Sequence, residues 1–462
     1  MLLGGGTGLF VVLAIERVGP IVALLPALAL GAAYLIDQPR VALAALLGVT
    51  VVIEADPVGL LPIGPSFYQP VRLGLTPTDL LLGLVVLGTA LELVRTRSHP
   101  RGIGPMTLPI LALAGAYAAG VATGFFGGAS PNELVLSSIR MTHLLILPFV
   151  CVSLLRERRE QNAFLAGAAG LAAAKGVLGL LAVAGGAGFA VEGGIITYYE
   201  PIANWLMLMF LLGVLAARVR DVPMPGWVSW AVPLVVLSFL LSYRRSFWLA
   251  AAFAVVLVLI VASRRRGRAV LAIGAVGLLL VLAGTLTLGR SSEVQSPVVE
   301  RARSLQPERL ASTSADRYRL DEQDNVIADL RAHPLTGLGM NVPWTARHPL
   351  SEEHDRNYVH VVALWYWLKL GILGLIAFAW LYAMALLTAF RVWAKHPDAR
   401  IRVGALAAAG GLVALAIVEL TASFTGVEPR LTTGFGAVLG WVAACWHSLP
   451  QGASARATAS IE

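Results

Sequence analysis

The chain has 462 residues, of which 57% are hydrophobic and only 13% charged, against about 25% charged in ordinary soluble domains. A mean hydropathy of +0.76 excludes a disordered chain, a disulfide scaffold and a typical soluble enzyme, and points to a polytopic membrane protein. The net charge is +8, from 35 basic and 27 acidic residues, and all the basic ones but Lys175, Lys369 and Lys395 are Arg.

Apolar runs fall near 6–16, 21–36, 41–53, 79–94, 105–128, 132–155, 161–185, 201–217, 226–242, 246–263, 269–288, 371–390, 403–424 and 431–447. The opening MLLGGGTGLFVVLAIERVGP lacks the basic start of a secretory signal and reads as a first membrane segment. The first three runs are short and can form fewer crossings. The runs are too continuous for barrel strands, which alternate. They predict an all-α polytopic transmembrane helical bundle of about 12–14 spans. Residues 1–447 form one transmembrane domain, and 448–462 are a short, disordered cytoplasmic tail.

The charges set the orientation. Five short loops, at 95–101, 156–160, 218–221, 264–268 and 391–402, carry 16 basic and four acidic residues. They all fall on one side, which the positive-inside rule makes cytoplasmic. That asymmetry accounts for most of the net charge, so no nucleic-acid surface is implied. The opposite side receives one large extracytoplasmic loop, residues 289–357, with nine Arg and eleven acidic residues. Its middle, DRYRLDEQDNVIADLRAHP, predicts a helix ended by Pro334, and Gly337 and Gly339 then mark a turn.

Few groups remain that can carry chemistry. The run 226–263 is about 57 Å long as a helix and must turn, and the polar SYRRS is the place to do so. Arg244 and Arg245 therefore stand on the side opposite the other basic loops. They adjoin a helix expected to start at Ser246, where guanidinium forks and exposed N–H groups suit a phosphate. A solvated turn with snorkelling side chains is the other reading. His360 is expected at a membrane boundary, where it either takes a proton from a hydroxyl or fills an amphipathic position beside Tyr358 and Trp365. His333, His348 and His354 lie near Glu352, Glu353 and Asp355, but their spacing matches no metal-ligand pattern, and no metal is expected. Arg140, Lys175 and Glu419 lie within apolar runs and must face protein or water, with ion pairing the expectation for Lys175 and Glu419. Cys151 and Cys445 read as small buried hydrophobes.

Together these patterns resemble the O-antigen ligase and polysaccharide polymerase family, integral membrane glycosyltransferases of the C type. The likeness rests on LSYRRSFWLA; on Arg319-Leu320-Asp321 followed by HPLTGLG at 333–339; and on His360 followed by Gly371-Ile372-Leu373-Gly374. Fainter echoes are PTDLLLGL at 76–83, Arg140, and PIANWLML at 201–208. The family's His is usually followed by Asn, where this chain has Val361.

The resemblance implies transfer of a glycan from an undecaprenyl diphosphate carrier to an acceptor hydroxyl on a lipid or glycan. The reaction would occur at the outer face of a bacterial cytoplasmic membrane, without cofactor, metal or nucleotide sugar. It implies Arg244, Arg245, Arg319 and Arg140 as diphosphate-binding residues and His360 as the catalytic residue. A polymerase would differ only in using a carrier-linked repeat as acceptor. From a different class, a glycolipid transporter or flippase would fit the many spans and the buried Lys175 and Glu419.

Overall fold

The computed structural model describes residues 25–54, 67–68, 75–191, 195–197, 200–242, 244–263, 314–347, 350 and 355–450. The expected spans at 6–16 and 269–288, and the basic loop 264–268, lie outside them. Helices follow the apolar runs: α1 Leu25–Asp37, α2 Pro39–Val52, α3 Pro77–Arg95, α4 Thr107–Phe126, α5 Pro131–Leu154, α6 Arg158–Ala184, α7 Pro201–Val219, α8 Gly226–Leu241 and α9 Arg245–Ala262. Then come α10 Ser314–Ala332 in the large loop, α11 Val362–Lys395, α12 Ala399–Val418 and α13 Pro429–His447. Eight of the described helices are long and apolar enough to cross a membrane, which makes this an all-α polytopic bundle.

Three local expectations change. The runs 21–36 and 41–53 form one pair bent by 113° at Gln38, where Pro39 starts a new helix. The run expected from 371 begins nine residues earlier, at Val362, and is broken at Gly371. The only described strands, Phe189–Val191 and Ile195–Thr197, form a small antiparallel hairpin between α6 and α7. The apolar and β-branched residues there are too few for a helical turn to gain from.

The helices run alternately, and their basic ends meet. Arg40 on α2 pairs with Glu92 on α3 (2.9 Å) and Glu160 on α6 (2.7 Å). Asn162 bonds Asp398, Gln161 bonds Ser448, Arg156 reaches His99 O, and Arg220 lies over the Trp393 ring at 4.9 Å. Four of the five basic loops therefore share one end of the bundle.

Helix α12 is the most buried span and forms its axis. Its small residues let neighbours approach closely: Trp205 on α7 donates to Gly411 O at 2.8 Å, and Gly410 sits against Leu212 and Val258. At the opposite end, Thr76 and Asp79 form a capping box on α3. Asp79 Oδ1 also meets His143 Nε2 at 2.8 Å, and His143 Nδ1 meets Thr433 Oγ1 at 2.7 Å, tying α3, α5 and α13 together. The 76–83 motif thus acts first as a cap and a helix tie.

Candidate active site

The large loop is fastened to the bundle by glycines. After α10 the chain turns through Gly337 (φ 64°) and Gly339 (φ 93°) and docks where α11 is broken at Gly371 (φ 73°). These are left-handed conformations that side-chain-bearing residues resist. A Cβ at Gly337 would overlap Leu368 O, one at Gly339 would overlap Gly124 N, and one at Gly371 would overlap Leu335 O. The break frees polar groups that the loop then satisfies. Leu338 N–H donates to Leu368 O (2.7 Å), Ile372 N–H to Leu335 O (3.1 Å), and Met340 N–H to Gly120 O on α4 (2.9 Å). Trp367 Nε1–H donates to Pro334 O at 2.6 Å, and the buried Lys369 donates to Val342 O at 2.5 Å. Two family-like motifs, far apart in sequence, are the two halves of this joint.

Helix α10 buries a polar face. Glu322, Asn325 and Asp329 are all buried, spaced so that they point the same way. Asn325 and Asp329 grip the returning chain: Arg347 N–H donates to Asn325 Oδ1 (2.7 Å), Thr345 N–H to Asp329 Oδ2 (2.7 Å), and the Arg347 guanidinium pairs with Asp329 (2.7 Å).

Glu322, with no exposed side-chain surface, holds His360. Its carboxylate accepts the His360 backbone N–H at 3.0 Å and lies 2.6 Å from Nδ1. A carboxylate only accepts, so Nδ1 carries the proton in this bond and Nε2 is left as the ring's basic nitrogen. The ring is walled by Tyr358 and Tyr318, both edge-to-face, with centroids 4.9 and 5.8 Å away. It stays 18% exposed.

Tyr358 is fixed in turn. Its hydroxyl donates to Ser423 O and accepts Ser423 N–H, in the α12–α13 turn. Burial pushes its phenol up to about 12, the Ser423 contact lowers it, and the charges of Glu322 and Arg319 act in opposite directions. Tyr358 is therefore a neutral wall at working pH.

Among the expected site residues, Arg319 lies one turn before Glu322 on α10, half-buried and close enough for its charge to be felt at Tyr358. Arg244 caps α9 and Arg245, rather than Ser246, is its first helical residue; both are partly buried. Helix α9 packs on α12, and the residue just past α12, Glu419, accepts the Val362 N–H through its carbonyl. The arginine pair and His360 therefore flank the same end of α12.

Arg140 is exposed on α5, a helix that packs chiefly on α13, and no contact among the described residues joins it to the Glu322–His360 pair. His333 is exposed, and His348 and His354 lie outside the described residues. Among the described residues no group of three His, Cys, Asp or Glu is placed to hold a metal.

Lys175 is not idle charge. It meets Glu54 and Glu200, each at 2.9 Å, and Glu200 also holds the Arg430 guanidinium, with one contact at 2.6 Å. Glu419 accepts Thr425 N–H at 2.7 Å. Sequence reading missed Glu322, whose one signal was its place three residues after Arg319, on the same helical face.

The fold and this geometry define a multi-pass membrane protein with a carboxylate–histidine pair and several arginines at one end of its bundle. Residues 230–379, running from α8 into α11 and containing Arg244, Arg245, Arg319, Glu322 and His360, match the family model described as O-antigen ligase. No curated protein matches the chain.

Proposed function

We propose that this O-antigen ligase-like membrane enzyme moves a glycan from an undecaprenyl diphosphate carrier to an acceptor hydroxyl at the outer face of the cytoplasmic membrane, without a metal. The observation that carries the reading is the Glu322–His360 pair, because a buried carboxylate on Nδ1 leaves Nε2 free to take a proton. The acceptor oxygen attacks the anomeric carbon as its proton passes to His360 Nε2. The bond from that carbon to the carrier phosphate breaks, and its electron pair leaves with the diphosphate. Arg244, Arg245 and Arg319 offset the charge that develops on the leaving group, a task guanidinium forks perform at phosphates. Arg140, exposed on its own helix, is the weakest of the expected contacts and serves on the approach of the donor. The transporter reading is weakened by one point, since Lys175 sits in a paired cluster.

The test is transfer by the purified protein from an undecaprenyl diphosphate-linked glycan, offered a glycolipid acceptor in one arm and only a second carrier-linked repeat in the other. Product in the first arm alone marks a ligase, and in the second a polymerase. Either product should persist in the presence of a chelator and vanish in His360→Ala. Full transfer by His360→Ala would overturn the assignment.

A further inference from the structure

A cavity lies away from the Glu322–His360 pair and opens toward the basic-loop end of the bundle. A cavity of about 790 Å³ runs between α2, α6, α7, α12 and α13, with a wall that is almost wholly apolar. Along α7 it extends from Ile202 to Ala217, about 22 Å at 1.5 Å per residue. Half of a bilayer's hydrocarbon core is only about 15 Å, so the slot reaches past the midplane.

Its two ends differ. The lining residues nearest the end opposite the basic loops are Val51, Leu171, Ile202 and Gly434. Within one helical turn beyond each of these stand Glu54, Lys175, Glu200 and Arg430, the members of the buried ion cluster. The cluster therefore stands just beyond that end of the slot. The other end reaches the basic face at Arg40, Glu160 and Arg400. Arg40 is held by Glu92 and Glu160, whereas Arg400 is exposed, and among the described residues no carboxylate pairs with its guanidinium. Gly167 and Gly170 line the slot on α6, and a Cβ at either meets open space.

We infer that this slot binds an anionic phospholipid from the leaflet on the basic-loop side, an acyl chain filling the slot and the phosphate on Arg400. An apolar cavity of this size inside a bilayer takes up a lipid chain, and the buried charges beyond its far end suit a chain of bounded length. The much longer polyprenyl tail of the proposed donor would have to run on into those charges. The exposed Arg400 guanidinium at the mouth favours an anionic head group.

The full chain, purified in mild detergent, is examined by native mass spectrometry with phosphatidylglycerol, phosphatidylcholine or a polyprenyl phosphate added. We expect one retained phosphatidylglycerol, preferred over phosphatidylcholine about fivefold, the worth of roughly one interfacial cation. Arg400→Gln should erase that preference, and Gly167→Leu with Gly170→Leu should abolish retention. Should the double variant not fold, brominated phosphatidylglycerol supplies the second measurement. It should quench the emission of the slot-lining Trp205, Trp227 and Trp441 more than brominated phosphatidylcholine does, and Trp227→Phe should lessen the difference. Retention unchanged by filling the slot, equal retention of phosphatidylcholine, displacement by the polyprenyl phosphate, or equal quenching by the two brominated lipids would each overturn the inference.

Discussion

Glu322 grips His360 at two points: its carboxylate takes the ring Nδ1–H at 2.6 Å and the backbone N–H at 3.0 Å. One buried acid thus fixes the place of the residue and the tautomer of its ring. Glu322→Gln keeps the shape but loses the charge, and its amide N–H can face Nδ1 in the wrong sense. We expect turnover to fall by about 10²–10³-fold with little change in donor KM, measured by initial rates of glycan transfer. An unchanged turnover would leave Glu322 a purely structural residue.

Arg245→Ala should act differently. If the guanidinium meets the donor diphosphate, the loss appears in kcat/KM for the lipid-linked donor, by about 10²-fold, and saturating the acceptor does not restore it. Arg245→Lys should recover only part, because an ammonium cannot form the bidentate fork. Equal rates for the Lys variant and the wild type would argue for a bulk charge effect instead.

The joint between loop and bundle can be tested without touching the site. Gly371→Ala forces a side chain into a left-handed conformation against Leu335 O. The conformation alone, essentially restricted to glycine, costs about 1–3 kcal/mol, and the overlap adds to it. A lower melting temperature in detergent, together with lost transfer, is the expected outcome. Retention of both would show that the turn has another way to dock.

Lys175 offers a stability test. Removing one member of a buried ion pair costs about 3–5 kcal/mol, because the partner charge stays behind. Lys175→Met should therefore be strongly destabilising, since it removes the cation shared by Glu54 and Glu200. Adding Glu54→Gln should restore part of the loss, read as a coupling in a thermal-melt double-mutant cycle. Independent, additive losses would mean that the two groups do not share one cluster.

The gathering of four basic loops at one end of the bundle was legible because charge asymmetry is a local signal, carried by each Arg-rich loop on its own. The helix at 314–332 and the turn at Gly337–Gly339 were equally readable, since Pro334 and the two glycines mark them in sequence. Glu322 was not. It is one of eleven acidic residues in its loop, and its partner lies 38 residues on. The docking of Gly371 on Leu335 and the partners of Lys175 were hidden for the same reason, being set by packing between distant segments. The break in α11 was masked by the apolar continuity of its sequence, because Gly371 looks like any membrane-helix glycine until a loop is laid against it.

The most direct measurement is a double-mutant cycle on transfer. Single-turnover rates would be taken for the wild type, Glu322→Gln, His360→Ala and the double variant, each shown to be folded by its melting curve. If Glu322 works through His360, the double variant is no slower than His360→Ala alone. If the two losses multiply, Glu322 and His360 act independently, and the account of the site is wrong.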